Sequence, residues 1–317
     1  MTEILLLKPE FKSMIWGGNK MRSMFNYEIP TETTGECWAV SAHKAGDCTI
    51  DGGEFDGKKL SFVYATNREL FNCESEVFPL LTKIIDAKDD LSVQVHPDDE
   101  YAKINENGSL GKTECWYIVD CEEGADIVIG HNAKDKKELE MLCNEGRFDE
   151  LIRKLPLKKG DFFQIDSGTV HAIRKGTVIL ETQQSSDITY RLYDYGRLQN
   201  GKPRELHLQK SIDVIKCPYE AREEKRIKEK LASGEIETLV CNDFYTVRHF
   251  CGKGIAENEI KTNDTFTIVS VLEGKGTLKT KSEELEVKKG MHFILTNAVK
   301  SFTVSGDIEM IISNPMK

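Results

Sequence analysis

The chain has 317 residues, 39% hydrophobic and 8% aromatic, enough for one large domain or two ordinary ones around a buried core. A net charge of −10 argues against a nucleic-acid binder, which needs a basic face, but leaves room for an anionic small molecule in a local basic pocket. Nine scattered cysteines without a C-x-x-C pair argue against a disulfide framework or a thiolate zinc site, and no apolar run reaches signal-peptide or membrane-span length, so a cytoplasmic protein off the membrane is expected.

Short strand-like runs broken by glycine and proline come first, at residues 4–7, 37–41 and 49–50, and a short helix is expected at 65–72. A strand at 78–86 leads to Leu91-Ser92-Val93-Gln94-Val95-His96-Pro97. Strand side chains alternate, so Gln94 and His96 share one face while Val93 and Val95 take the other. Pro97 ends the strand and leaves His96 near its mouth. Residues 98–104 open with acids and continue with helix formers, the signature of a short helix. A strand at 115–120 turns at Glu123-Gly124 into another at 127–130. Residues 133–154 carry helical spacing on both sides of Gly146 and read as two short helices. Strands follow at 162–165, 170–173 and 178–182, then a polar connection at 189–197 and a helix at 206–215. The charge-rich run 219–231 reads as a solvated linker, and the remainder again as short strands and turns.

The chain repeats itself. Trp116 to Gly124 matches Phe266 to Gly274, and Leu157 to Phe163 matches Val287 to Phe293, each half showing strand, Glu-Gly turn, strand, Lys-Lys-Gly turn, strand. The fold expected is therefore mainly β, with two small antiparallel barrels or jelly rolls and a helical insertion at about 133–154 in the first. The division expected is 1–232 and 233–317. In this register Glu114 stands opposite Asp264 and His171 opposite Ser301, and nothing in the second half matches Gln94 and His96. One unit keeps a potential metal site and the other has none.

Gln94, His96, Glu114 and His171 fall at strand ends of the first unit. Two imidazoles, a carboxylate and an amide oxygen suit Zn2+, with Mn2+, Fe2+ and Co2+ as competitors, and leave the ion open to water or substrate. His43, His131, His207, His249 and His292 lack such company and are read as packing or surface residues. Lys112, two residues before Glu114, would face the same cavity. Arg191 and Arg197 lie close together beyond a strand of this unit, and their guanidinium forks suit a phosphate or a developing oxyanion as well as surface ion pairs.

Gln-Val-His-Pro-Asp-Asp at 94–99, Gly-Lys-Thr-Glu-Cys-Trp-Tyr at 111–117, Gly-Thr-Val-His-Ala-Ile at 168–173 and Ser-Asp-Ile-Thr-Tyr-Arg at 186–191 resemble the type I mannose-6-phosphate isomerases, in their short Bacillus-like form. Ile-Trp-Gly-Gly at 15–18 and Gly-Glu-Cys-Trp at 35–38 extend the resemblance from residue 10 to about 215. It implies a cupin fold, one zinc held by Gln94, His96, Glu114 and His171, and a catalytic arginine matched by Arg191. It places the basic residue after it, Arg197, at the substrate phosphate, and brings Lys112 near the chemistry. The reaction implied interconverts mannose 6-phosphate and fructose 6-phosphate, a small-molecule sugar-phosphate partner, through a cis-enediol stabilised by the metal. A non-catalytic sugar-phosphate-binding cupin and a metal-dependent cupin dioxygenase are the alternatives. Neither the proton-shuttling base nor the oligomeric state follows from the sequence.

Overall fold

The computed structural model describes residues 2–222 and 225–317, so Glu223 and Glu224, inside the expected linker, lie outside the described residues. The protein is mainly β. Its central sheet has six antiparallel strands, in the order Phe162–Ile165, Glu114–Cys121, Thr177–Gln184, Leu80–Ala87, Thr34–Val40 and Glu10–Ser13. Leu80–Ala87 and Thr177–Gln184 are buried at every residue, because both faces of the sheet are covered. On one face lies a five-stranded sheet running Ile152–Pro156, Asp126–His131, His171–Ile173, Val93–Val95, Tyr190–Tyr193. Ile85, Trp116 and Ile179 of the first sheet meet Ile127, Ile129 and Ile173 of the second. On the other face Cys115, Tyr117 and Leu180 pack against Val247, Phe266 and Ile268 of the C-terminal sheet.

That C-terminal sheet repeats the central one. Its strands run His292–Leu295, Thr267–Lys279, Ser301–Pro315, Tyr245–Gly252, Gly234–Cys241, Ile227–Lys230, so fifth, fourth, sixth, third, second and first in chain order stand side by side in both sheets. The repeat first visible in a few motifs thus extends across a whole sheet. Both Lys-Lys-Gly segments turn at a glycine with positive φ, 86° at Gly160 and 88° at Gly290. The two Glu-Gly segments differ. Gly124 lies in the turn between strands Glu114–Cys121 and Asp126–His131, whereas Gly274 follows a bulge within the continuous Thr267–Lys279 strand, where an added Cβ would lie 1.9 Å from the Asp307 carbonyl oxygen. The C-terminal sheet also takes in Ile4–Lys8 from the start of the chain, paired with His292–Leu295.

Several local expectations shift. The helix expected at 65–72 forms earlier, as Leu60–Thr66, because Leu60, Val63 and Tyr64 bury one face; a 3-10 turn, Arg68–Leu70, follows. The helix expected from residue 98 is Asp99–Asn105, with the Asp98 carboxylate accepting from Tyr101 N at 2.8 Å. Residues 133–154 hold helices Lys136–Asn144 and Phe148–Leu151, but the last part is the edge strand Ile152–Pro156, recruited by pairing with Asp126–His131. The polar connection at 189–197 contains the strand Tyr190–Tyr193, and the charge-rich run contains the exposed edge strand Ile227–Lys230.

Candidate metal centre and cavity

Val93–Val95 ends just before His96, with Val93 and Val95 buried towards the helices and Gln94 turned to the opposite side. Antiparallel pairing sets His171 directly across from Gln94, and Glu114 opens the neighbouring strand of the facing sheet. These placements bring His96, Glu114 and His171 into one buried cluster, their ligand atoms all within 4.8 Å of one another. The two Nε2 atoms are 3.1 Å apart, and each lies 3.5 Å from an oxygen of Glu114. The Gln94 amide nitrogen is 3.3 Å from His171 Nε2, a place its oxygen takes when the amide turns over.

The donor set fits a metal ion. Donors about 2.0–2.2 Å from one tetrahedral centre stand roughly 3.3 Å apart, the spacing seen among these atoms. His171 Nδ1 donates to the Thr169 carbonyl at 2.8 Å, which leaves the lone pair on Nε2 facing inward. Burial holds His96 well below the ordinary imidazole range and His171 down at about 4, so both rings are neutral near pH 7, as ligation requires. Glu114 is fully buried, and neither carboxylate oxygen receives a well-directed hydrogen bond, although Lys112 Nζ lies 2.8 Å from one. Burial pushes its carboxyl up to about 7 against the pull of Lys112. Two facing imidazoles and an unsatisfied carboxylate are expensive to bury without something between them.

The cluster borders a cavity of about 490 Å3, into which Gln94, Lys112 and Arg191 project. Arg191 stands beside Gln94 in strand register, and its Nη1 donates to the Glu205 carbonyl at 2.8 Å. Arg197 is not among the lining residues. Its guanidinium donates to Asp194 at 2.5 Å and to the Asp90 carbonyl. The structure therefore gathers His96, Glu114 and His171 into one cluster beside Gln94 and Lys112 and brings Gln94, Lys112 and Arg191 to the cavity wall, while Arg197 turns to Asp194 and the Asp90 carbonyl.

Other lining groups were not singled out from the sequence. Lys83 and Glu181 are cross-strand partners paired at 3.0 Å, flanked in the same row by Trp38, whose ring lies 5.2 Å from Lys83 Nζ, and by Trp116, whose Nε1 donates to Glu181 at 3.1 Å. Burial raises the Glu181 carboxyl, but Lys83 and Lys112 outweigh it and hold the group down at about 2. The available signal was a lysine and a glutamate inside two otherwise apolar runs, Leu-Leu-Thr-Lys-Ile-Ile and Val-Ile-Leu-Glu-Thr. Arg204 also lines the cavity, from a segment in which no motif draws the eye.

Residues 4–129 match the family model of the phosphomannose isomerase type I catalytic domain, and residues 235–315 match that of the mannose-6-phosphate isomerase cupin domain. The chain is 47% identical over 315 residues to mannose-6-phosphate isomerase ManA of Bacillus subtilis (strain 168), covering 99% of each protein. It is also 47% identical over 318 residues to mannose-6-phosphate isomerase of Streptococcus mutans, again covering 99% of each. The crystal structure of the mannose 6-phosphate isomerase from Bacillus subtilis superposes with a TM-score of 0.95 at 45% identity, covering 99% of this chain and 100% of that one.

Proposed function

The chain belongs to the type I phosphomannose isomerases, and from that premise we propose a role for each residue around its cavity. The protein is an aldose–ketose isomerase that interconverts mannose 6-phosphate and fructose 6-phosphate. His96, Glu114 and His171, with the Gln94 amide oxygen as fourth donor, hold one Zn2+. The observation that carries this reading is the convergence of two neutral imidazoles and a buried carboxylate on one point of a cavity wall, at spacings of 3.1–3.5 Å. When bound, the ion supplies Lewis-acid stabilisation to oxygen atoms at the reacting end of the sugar.

The chain's own cations do the rest of the electrostatic work. As a proton leaves C1 or C2, negative charge grows on the adjacent oxygen, and Lys112 and Arg191 set an ammonium and a guanidinium on the wall beside it. The Lys83–Glu181 pair, locked between two indoles, keeps that wall rigid. Residues 1–232 hold the catalytic cupin unit and lend strands Ile4–Lys8 and Ile227–Lys230 to the sheet of a second cupin-like unit, 233–317, which has no metal-ligand cluster among the described residues; each is a jelly roll, and the shared strand order supports the pairing. Cytoplasmic residence is supported by nine free cysteines and by the lack, among the described residues, of a helix long and apolar enough to cross a membrane.

The test is an isomerase assay on mannose 6-phosphate, run before and after dialysis against a chelator, with elemental analysis of both samples. Turnover that vanishes with one equivalent of zinc and returns on adding it back is the expected result. Full turnover in metal-free protein would remove the metal centre from the reading.

A further inference from the structure

Beyond Arg191 the cavity wall carries more positive charge than its buried carboxylates answer. Asp194, 4% exposed, accepts from Arg204 Nε at 2.7 Å and Nη2 at 2.5 Å, and from Arg197 Nη2 at 2.5 Å. Arg191 lies close enough to feel both other arginines. Glu205 is 84% exposed and faces His207 at 3.9 Å, Asp187 is half-exposed and faces His43 at 3.6 Å, and Asp90 shares Arg174 with Asp126. Three guanidinium groups around one buried carboxylate leave an excess of positive charge, the complement of the roughly −1.5 to −2 of a phosphate monoester near pH 7.

The three arginines differ in what they have left to give. Arg197 spends Nη2 on Asp194 and Nη1 on the Asp90 carbonyl, with Tyr195 against its plane at 5.2 Å. Arg204 meets Asp194 with its Nε–Nη2 edge, so Nη1 stands on the far side of the fork and has no protein partner among the described residues. Arg204 lines the cavity and Arg197 does not. Arg191 is in register with Gln94, beside the metal-ligand residues, whereas Arg204, at the foot of the hairpin of strands Leu198–Gln199 and Lys202–Pro203, reaches the wall from a segment that carries none of them. A sugar phosphate needs a cationic grip separate from the groups at its reacting carbons, since its phosphate sits on C6 and those carbons are C1 and C2.

We propose that Arg204 is the residue that grips the substrate phosphate, with Asp194 as the positioning residue that orients its fork and Arg197 steadying Asp194 from behind. The proposal rests on the isomerase reading above and moves the direct phosphate contact from Arg197 to Arg204.

Steady-state kinetics of the zinc-loaded protein tests it, with Arg204→Gln, Arg204→Lys and Arg197→Gln, on mannose 6-phosphate and on unphosphorylated mannose, and with inorganic phosphate as inhibitor. Loss of a charge-assisted contact made equally in ground and transition states raises KM and spares kcat. For Arg204→Gln the expected result is a KM for mannose 6-phosphate raised about tenfold or more, with phosphate inhibition weakened by a similar factor and the preference for mannose 6-phosphate over mannose reduced accordingly. Arg204→Lys, which keeps the charge and guards against a folding artefact, recovers part of that loss, and Arg197→Gln raises KM less. An unmoved KM in Arg204→Gln, an equal loss on both sugars, or a larger KM effect from Arg197→Gln would overturn the assignment. Wild-type protein inactive on mannose 6-phosphate would instead overturn the isomerase reading itself.

Discussion

The central sheet and the C-terminal sheet follow the same course strand for strand, yet they enclose opposite interiors. Inside the first, Trp38, Lys83 and Glu181 line a cavity, with Trp116 beside Glu181 and the Glu114 carboxylate buried next to the cavity-lining Lys112. The second is filled by Phe250, Val271, Phe293, Phe302 and Met310, all buried in one apolar cluster. Where the first has buried Glu114, the second has Asp264, 83% exposed and 3.8 Å from Lys300. The lesson is that strand order supplies the sheet, and the side chains on its faces decide between a packed core and a polar site. Lys83 and Glu181 stay inside the first unit because they pair with each other, Glu114 stays there as one of three groups spaced for a metal ion, and a sheet with apolar aromatics inside has no need of such partners.

The strongest way to break this contrast is through the metal. His96→Ala or His171→Ala should strip the protein of bound zinc and lower turnover by more than about 100-fold, whereas His292→Ala, in the C-terminal sheet, should keep its full complement. Elemental analysis beside the isomerase assay decides it, and normal zinc in His171→Ala would end the symmetry argument. Next comes Phe266, fully buried where the second sheet meets Phe71 and Phe78, at centroid distances of 5.4 and 4.9 Å. Phe266→Ala should cost about 3–5 kcal/mol in a urea titration while the folded fraction turns over normally. Lost turnover at unchanged stability would show that the C-terminal sheet takes part in chemistry.

A third test uses pH. Burial holds the His292 imidazole down at about 4, with Ser270 and Tyr27 as its hydrogen-bond partners. As pH falls below the ordinary histidine value of about 6.5, the unfolded chain takes up a proton before the folded one, so stability drains away between about 6.5 and 4. The loss attributable to this group is about 3 kcal/mol when complete, and it should vanish from the pH profile of His292→Asn. The smallest effect is expected at the seam, where Glu309 accepts from Tyr117 at 2.6 Å and from His249 at 2.9 Å. Glu309→Gln should lower stability by about 1 kcal/mol and leave turnover alone. A fall in turnover would show that the seam also sets the strand that carries Glu114.

How much of this was legible in the sequence depended on whether pattern and burial agreed. Gln94, His96, Glu114 and His171 stood out because polar ligands at strand ends interrupt the apolar alternation, and the structure brings them together. Ile227–Lys230 was hidden because every residue of this edge strand is exposed, and its charges are those that protect an edge and also those of a linker. Tyr190–Tyr193 was hidden by its tyrosines and arginine, which face a polar cavity on one side and helices on the other. Lys83 and Glu181 went unread because a charge within a buried run makes sense only beside a cross-strand partner nearly a hundred positions away, which no local pattern displays. Arg204 shows the same thing at shorter range, since its role hangs on the carboxylate it grips rather than on its neighbours in sequence.

The pairing of Ile4–Lys8 with His292–Leu295 has a consequence for how the molecule is made. The partners lie about 290 residues apart, so a ribosome adding 5–20 residues per second leaves the first strand waiting roughly 15–60 s for the strand that completes it. In that interval Thr49–Ile50 can pair with one side of the strand, but the backbone groups of Ile4 to Leu6 that face His292–Leu295 stay open, and Leu5, which ends 2% exposed, lacks part of its cover. A strand made early is thus fastened by one made some 290 residues later, and that part of the sheet closes like a clasp.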